Sequence, residues 1–140
     1  RNGRASFMAK LTECRCGSGK PDSACCARYL AGGEPAPTAE ALMRSRYTAY
    51  TLCNEDYLLA TWHASTCPQV LGLQEEAPTK WLGLEVKRHE QQDAEHAIVE
   101  FVARYKVNGR AHRLHETSRF VRENGRWYYL DGDLSGSHSR

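Results

Sequence analysis

Residues 97–131 read AIVEFVARYKVNGRAHRLHETSRFVRENGRWYYLD, and this stretch decides the fold. Two AsnGly pairs, Asn108-Gly109 and Asn124-Gly125, separate runs of alternating apolar and polar residues rich in β-branched and aromatic types. AsnGly between such runs is a strong hairpin signal, because both residues tolerate the left-handed backbone of a two-residue turn. The period-two pattern starts near Lys80, which predicts strands near Trp81 to Glu90, Ala97 to Val107, Ala111 to Arg122 and Trp127 to Asp131. Two-residue loops also predict register: Tyr105 opposite His112, Ala103 opposite Leu114, Phe101 opposite Glu116 and Val99 opposite Ser118. In the next hairpin Phe120 should face Tyr129, Arg122 face Trp127 and Ser118 face Asp131. One face then carries Val99, Phe101, Ala103, Tyr105, Leu114, Phe120, Trp127 and Tyr129, and the other Glu100, Arg104, Lys106, Arg113, His115 and Arg119. Glu116, Ser118 and Asp131 fall on the apolar face, where polar groups need partners, water or a function.

Helices precede this meander. Thr38 is a good N-cap for a helix in which Ala39, Leu42, Met43, Tyr47 and Tyr50 recur at helical spacing. Asn54 caps a second helix reaching His63, with Glu55 and Asp56 favourably placed against its dipole. A third short helix is expected after Pro68, over residues 69–76. Helices followed by an antiparallel meander make the chain α+β. Upstream, Gly and Pro in residues 32–38 break regular structure and mark a short linker behind a cysteine-rich head.

The chain of 140 residues has room for one compact domain and a small appended module. With 41% hydrophobic and 26% charged residues it has no apolar run near the roughly 18 residues a membrane helix needs. The formal charge of +2 gives little ground for a nucleic-acid partner. Residues 1–10 have no apolar core of a secretory signal, so the expected location is the cytoplasm. Met8 reads as a native start, and Arg1 to Phe7 and the tail from Ser135 are left outside the fold reasoning.

The head, residues 14–26, reads CRCGSGKPDSACC. Zinc prefers four soft ligands in a tetrahedron, and Cys14, Cys16, Cys25 and Cys26 supply a full thiolate set from the two ends of one tight loop. Disulfides would need strained short loops or two bridges across the pairs, in a chain with no export signal. The spacing therefore predicts a structural zinc site, with Arg15, Lys20 and Arg28 offsetting its negative charge. Cys53 and Cys67 lie outside the motif and are expected to be free buried thiols.

CysArgCysGlySerGlyLys followed by CysCys resembles the SEC-C motif, the zinc module first described at the C-terminus of the SecA translocation motor. ThrAlaGluAlaLeuMetArgSerArgTyrThrAlaTyr, AspTyrLeuLeuAlaThrTrpHis, TrpLeuGlyLeuGluVal, ValGluPheValAlaArgTyr and SerArgPheValArgGluAsnGlyArgTrpTyrTyr resemble the bacterial YchJ family of SEC-C proteins, a likeness spanning about Cys14 to Gly132. The resemblance implies a zinc-binding module over residues 10–31 and a nuclear transport factor 2-like domain over 38–133. That domain would be a cone, with helices packed inside a curved antiparallel sheet. By analogy with SecA it also implies a protein partner for the head, a chaperone or the ribosome. The chain departs from the family at His63-Ala64-Ser65-Thr66-Cys67-Pro68, where HisProSerThrArgPro is expected, and it has no further cysteine after Cys67.

Arg46 shares a helical stripe with Met43, Tyr47 and Tyr50, and so should point inward toward Glu116 or Asp131. Arg46, Tyr50, Trp62, His63, Glu116 and Asp131 are the candidate pocket residues, with His63, Glu116 and Asp131 the acid/base candidates if the protein is an enzyme. The competing reading is an ion-pair network that closes the cone, with His63 a helix-end or packing residue. On the outer face Arg104, Lys106, Arg113 and Arg119 are tempered by glutamates, which favours a solvated surface over an RNA or ribosome contact. The leading expectation is a non-catalytic zinc protein, its head docking a protein partner and its cone serving as a scaffold or ligand-binding body. The alternatives are a hydratase or isomerase, and an RNA binder.

Overall fold

A computed structural model describes residues 14, 16, 17, 19, 20, 25–31, 34–69 and 79–134. Helices α1 (Cys26–Leu30), α2 (Ala39–Thr51) and α3 (Glu55–Ala60) precede strands β1 (Thr79–Gln91), β2 (His96–Val107), β3 (Arg110–Glu123) and β4 (Arg126–Leu134). The strands form one antiparallel sheet in the order β1-β2-β3-β4. The α+β order matches the sequence reading; α1, inside the cysteine head, was not foreseen.

Both predicted caps form. The Ala41 N–H donates to Thr38 Oγ1 at 3.0 Å and the Tyr57 N–H to Asn54 Oδ1 at 3.1 Å, so each helix satisfies one of its orphan donors. The second helix ends at Ala60, short of the expected His63, because the chain is drawn alongside β4. The Tyr129 N–H donates to Thr61 O at 2.8 Å, the His63 N–H donates to Tyr129 O at 2.7 Å, and Trp62 and Tyr129 form a parallel bridge. The helix expected after Pro68 lies almost wholly outside the described residues.

At both AsnGly turns all four residues have positive φ, 53° and 81° in the first and 54° and 77° in the second, as a two-residue hairpin with the right twist requires. Register between β2 and β3 follows the expectation pair by pair, from Tyr105–His112 to Val99–Ser118. Between β3 and β4 it holds for Arg122–Trp127 and Phe120–Tyr129 and then slips, placing Asp131 opposite Arg119 and Gly132 opposite Ser118. Leu130 is the extra residue of a bulge. The expected pairing of Ser118 with Asp131 is therefore wrong, and Asp131 leaves the helix face.

Two contacts account for the slip. On the open face Arg119 Nε reaches Asp131 Oδ1 at 2.6 Å and Arg119 Nη1 reaches Asp133 Oδ2 at 2.8 Å. On the helix face the Glu116 side chain lies over Gly132, where any Cβ would overlap its carboxylate.

The core lies between α2 and the helix face of the sheet, where Leu42, Met43 and Tyr47 meet Val99, Phe101, Ala103, Phe120 and Trp127. Cys14, Cys16, Cys25, Cys26 and Tyr29 belong to the same contiguous cluster, so the head is folded onto the body. Val102 points to the open face and is nonetheless fully buried; its cross-strand neighbours are Glu85 and His115.

Candidate functional site

The head is built from two short segments. Gly17 and Gly19 have φ of 80° and 85°, a left-handed backbone that lets the loop fold back so that the Cys14 N–H donates to Lys20 O at 2.9 Å. Cys25 and Cys26 sit at the start of α1. The body holds this loop at named points. Arg44 Nη1 donates to Cys16 O at 2.9 Å while its Nε donates to Glu40 one turn earlier at 3.0 Å, and Cys14 Sγ lies 3.9 Å from Thr48 Oγ1.

The four sulfurs all lie within 4.8 Å of one another, and all four residues are buried. Cys16 and Cys25 are 3.6 Å apart and Cys25 and Cys26 3.9 Å, too far for a disulfide. Those separations bracket the edge of about 3.8 Å that a sulfur tetrahedron has around zinc at roughly 2.3 Å from each ligand. The donor set and its spacing fit that ion. Burial pushes the Cys14 thiol up to about 11, and Cys26 is raised by its hydrogen bond to Cys16 and then by burial. Crowded, buried thiols resist ionising next to one another; a divalent cation reverses that balance and makes thiolate the favoured form.

The predicted pocket residues divide into three groups. Arg46, Trp62 and Glu116 gather around Tyr129. Arg46, 3% exposed, donates from Nη1 to Leu58 O at 2.8 Å and Thr61 Oγ1 at 2.7 Å. Its guanidinium lies 4.6 Å from the Tyr129 ring centre and 5.1 Å from that of Trp62, within cation–π range. Burial lowers its pKa, and among the described residues no ion pair joins it to Glu116 or Asp131. Glu116 Oε2 accepts from Ser118 Oγ at 2.7 Å and from the Tyr129 hydroxyl at 3.2 Å. The Tyr129 phenol is raised by burial and by the nearby Glu116 charge, so it stays a proton donor.

The other three predicted residues face elsewhere. Tyr50 packs against Trp81, 6.0 Å between ring centres. Asp131 is on the open face with Arg119. His63 sits at the rim, its Nε2 2.7 Å from Glu123 Oε2 and its Nδ1 accepting the Ser65 N–H at 3.1 Å with Ser65 Oγ at 2.8 Å. The contacts between His63 and Ser65 close a tight turn. His63, Glu116 and Asp131 thus have separate partners and do not converge. A cleft of about 610 Å³ opens between the β1–β2 loop and the β3–β4 turn, lined by Ala94, Glu95, Val121, Arg122, Glu123, Asn124 and Gly125. It includes none of the six candidates. Cys53 is exposed rather than buried, and Cys67 is half-buried.

Sequence reasoning missed Arg44, Thr48, Thr61 and Tyr129. Arg44 was legible in principle from its spacing with Glu40; Tyr129 was read only as packing because its ring and its hydroxyl serve different neighbours.

Residues 38–132 match the family described as YchJ, middle NTF2-like domain. A UPF0225 protein of Chromobacterium violaceum is 63% identical over 124 residues, covering 85% of this chain and 90% of that protein. The solution structure of a SEC-C motif containing protein from Rhodopseudomonas palustris is similar with a TM-score of 0.74 at 33% identity, covering 86% of this chain and 97% of the other. The crystal structure of a SEC-C motif containing protein from Psychrobacter arcticus gives 0.69 at 31%, covering 89% and 82%.

Proposed function

The chain belongs to the UPF0225 family and carries the YchJ middle NTF2-like domain, and from that premise we propose that it is a non-catalytic zinc protein whose cysteine head docks a protein partner. The observation that carries this reading is the gathering of four buried thiols at metal-binding distances on a loop anchored to the body by Arg44. Zinc held by four thiolates has no open coordination position, so it supplies folding and not catalysis. Separate pairing of His63, Glu116 and Asp131 weighs in the same direction, because acid/base chemistry needs such groups around one reacting centre. No helix among the described residues is long and apolar enough to cross a membrane, which suits a cytoplasmic role.

The buried side of the head is spent on α2, so the partner would meet its exposed rim, where Gly17, Gly19 and Lys20 lie. Metal analysis of the purified protein should find one zinc per chain, abolished by Cys25→Ser. Affinity capture with zinc-loaded protein should recover a partner that is lost with Cys25→Ser and also with Lys20→Glu, which leaves the ligands intact. Absence of bound metal, or a captured set unchanged by both variants, would overturn the reading.

A further inference from the structure

The open face of the sheet carries its charges in two different ways. Beyond Val102 three cations are matched, Arg88 with Glu90 and Glu100, His115 with Glu100, and Arg119 with Asp131 and Asp133, while Arg126 stands singly at the far turn with no ion pair among the described residues. At the other end, next to the first AsnGly turn, Lys80 lies directly opposite Lys106 and Arg104 directly opposite Arg113. These four side chains are exposed, and none has a carboxylate within ion-pair distance among the described residues. Arg110 at the turn adds a fifth unmatched cation. Like charges directly opposite across strands are destabilising, so folding alone gives no reason for this block. With a total formal charge of only +2, the rest of the chain is net negative, and the positive potential is concentrated here.

We propose that this four-cation block is a docking site for the phosphate backbone of a single-stranded nucleic acid, read by charge and not by sequence. Residues two apart on a strand are separated by roughly 6.8 Å, so Arg104 and Lys106 space their charges on the scale of successive backbone phosphates. That spacing, matched to a phosphate backbone, is what favours a nucleic acid over a lipid surface. Arg119 does not extend this basic face, since two aspartates neutralise it.

The test is fluorescence anisotropy of a fluorescein-labelled 20-nucleotide oligouridylate titrated with the full chain across a series of potassium chloride concentrations. Four phosphate contacts predict log affinity against log salt with a slope of about −3. The pair Arg104→Gln and Arg113→Gln should make the slope shallower by roughly 1.4 and weaken binding about tenfold at low salt. Its melting temperature should match or exceed the parent's, because facing charges are removed, so loss of binding is separated from loss of fold. Arg122→Gln with Arg126→Gln, two exposed cations at the opposite end, should leave the slope unchanged. No salt-dependent binding, an equal loss from the opposite-end pair, or co-sedimentation with phosphatidylglycerol vesicles in place of the oligonucleotide would each overturn the assignment.

Discussion

The polar atoms around Tyr129 and the thiols of the head are both buried, and they are buried differently. Around Tyr129 every group has an answer within the fold: Arg46 donates to Leu58 O and Thr61, and Glu116 accepts from Ser118 and Tyr129. In the head, four buried thiols lie within 4.8 Å of one another, with Cys16 and Cys25 only 3.6 Å apart. Polar groups that complete one another can be purely structural, whereas four thiols gathered at the edge length of a metal's ligand tetrahedron point to an ion from outside. Both share one core with Leu42 and Met43, so the comparison separates chemistry from depth.

The contrast breaks most visibly when the metal is removed. Stripping zinc with a strong chelator, or making Cys26→Ser, should lower the stability of the whole body by about 4 kcal/mol or more. Circular dichroism of the sheet should follow the head in one cooperative transition; a sheet that melts unchanged would make the head an independent appendage. Arg46→Ala should have the next largest effect, about 3 kcal/mol in denaturant unfolding, since it removes two hydrogen bonds to buried acceptors and the contact with two aromatic rings. A loss within a few tenths of a kcal/mol would show that these bonds contribute little to holding the fold. The smallest is Gly132→Ala, expected to cost about 1–3 kcal/mol by displacing the Glu116 carboxylate from Ser118 and Tyr129. Combining it with Glu116→Ala should relieve the clash, giving a double-mutant loss clearly smaller than the sum of the two singles.

Much of this was legible in the residues. AsnGly turns fix register because both positions must be left-handed, and from Asn108-Gly109 the pairing could be counted inward as far as Val99 and Ser118 without error. The same counting from Asn124-Gly125 failed after Phe120, since a bulge is chosen by what lies on the two faces and not by the turn. Asp131 and Asp133, two apart with a glycine between them, both find Arg119 once the strand slips by one. A glycine inside a strand pattern was the available sign of that irregularity. The cysteine head was readable because four ligands from a short loop leave few geometries. The destination of Arg46 was not, because its acceptors are a carbonyl and a hydroxyl that exist only once α3 is cut short at Ala60.

The short run after α3 has a consequence for how the molecule behaves in a crowd. Thr61 to Thr66 pairs with Tyr129 and Leu130 and occupies hydrogen-bonding groups that the last strand would otherwise offer to another chain. The first strand meets the same hazard by a different device: the shifts at Leu82 and Lys87 interrupt the regular row of amides along it. One border is therefore covered at its middle and the other made uneven, and both discourage strand addition and fibre growth. Copies of this protein that associate through their sheets would have to meet face to face, where the unmatched cations near Lys80 and Lys106 repel.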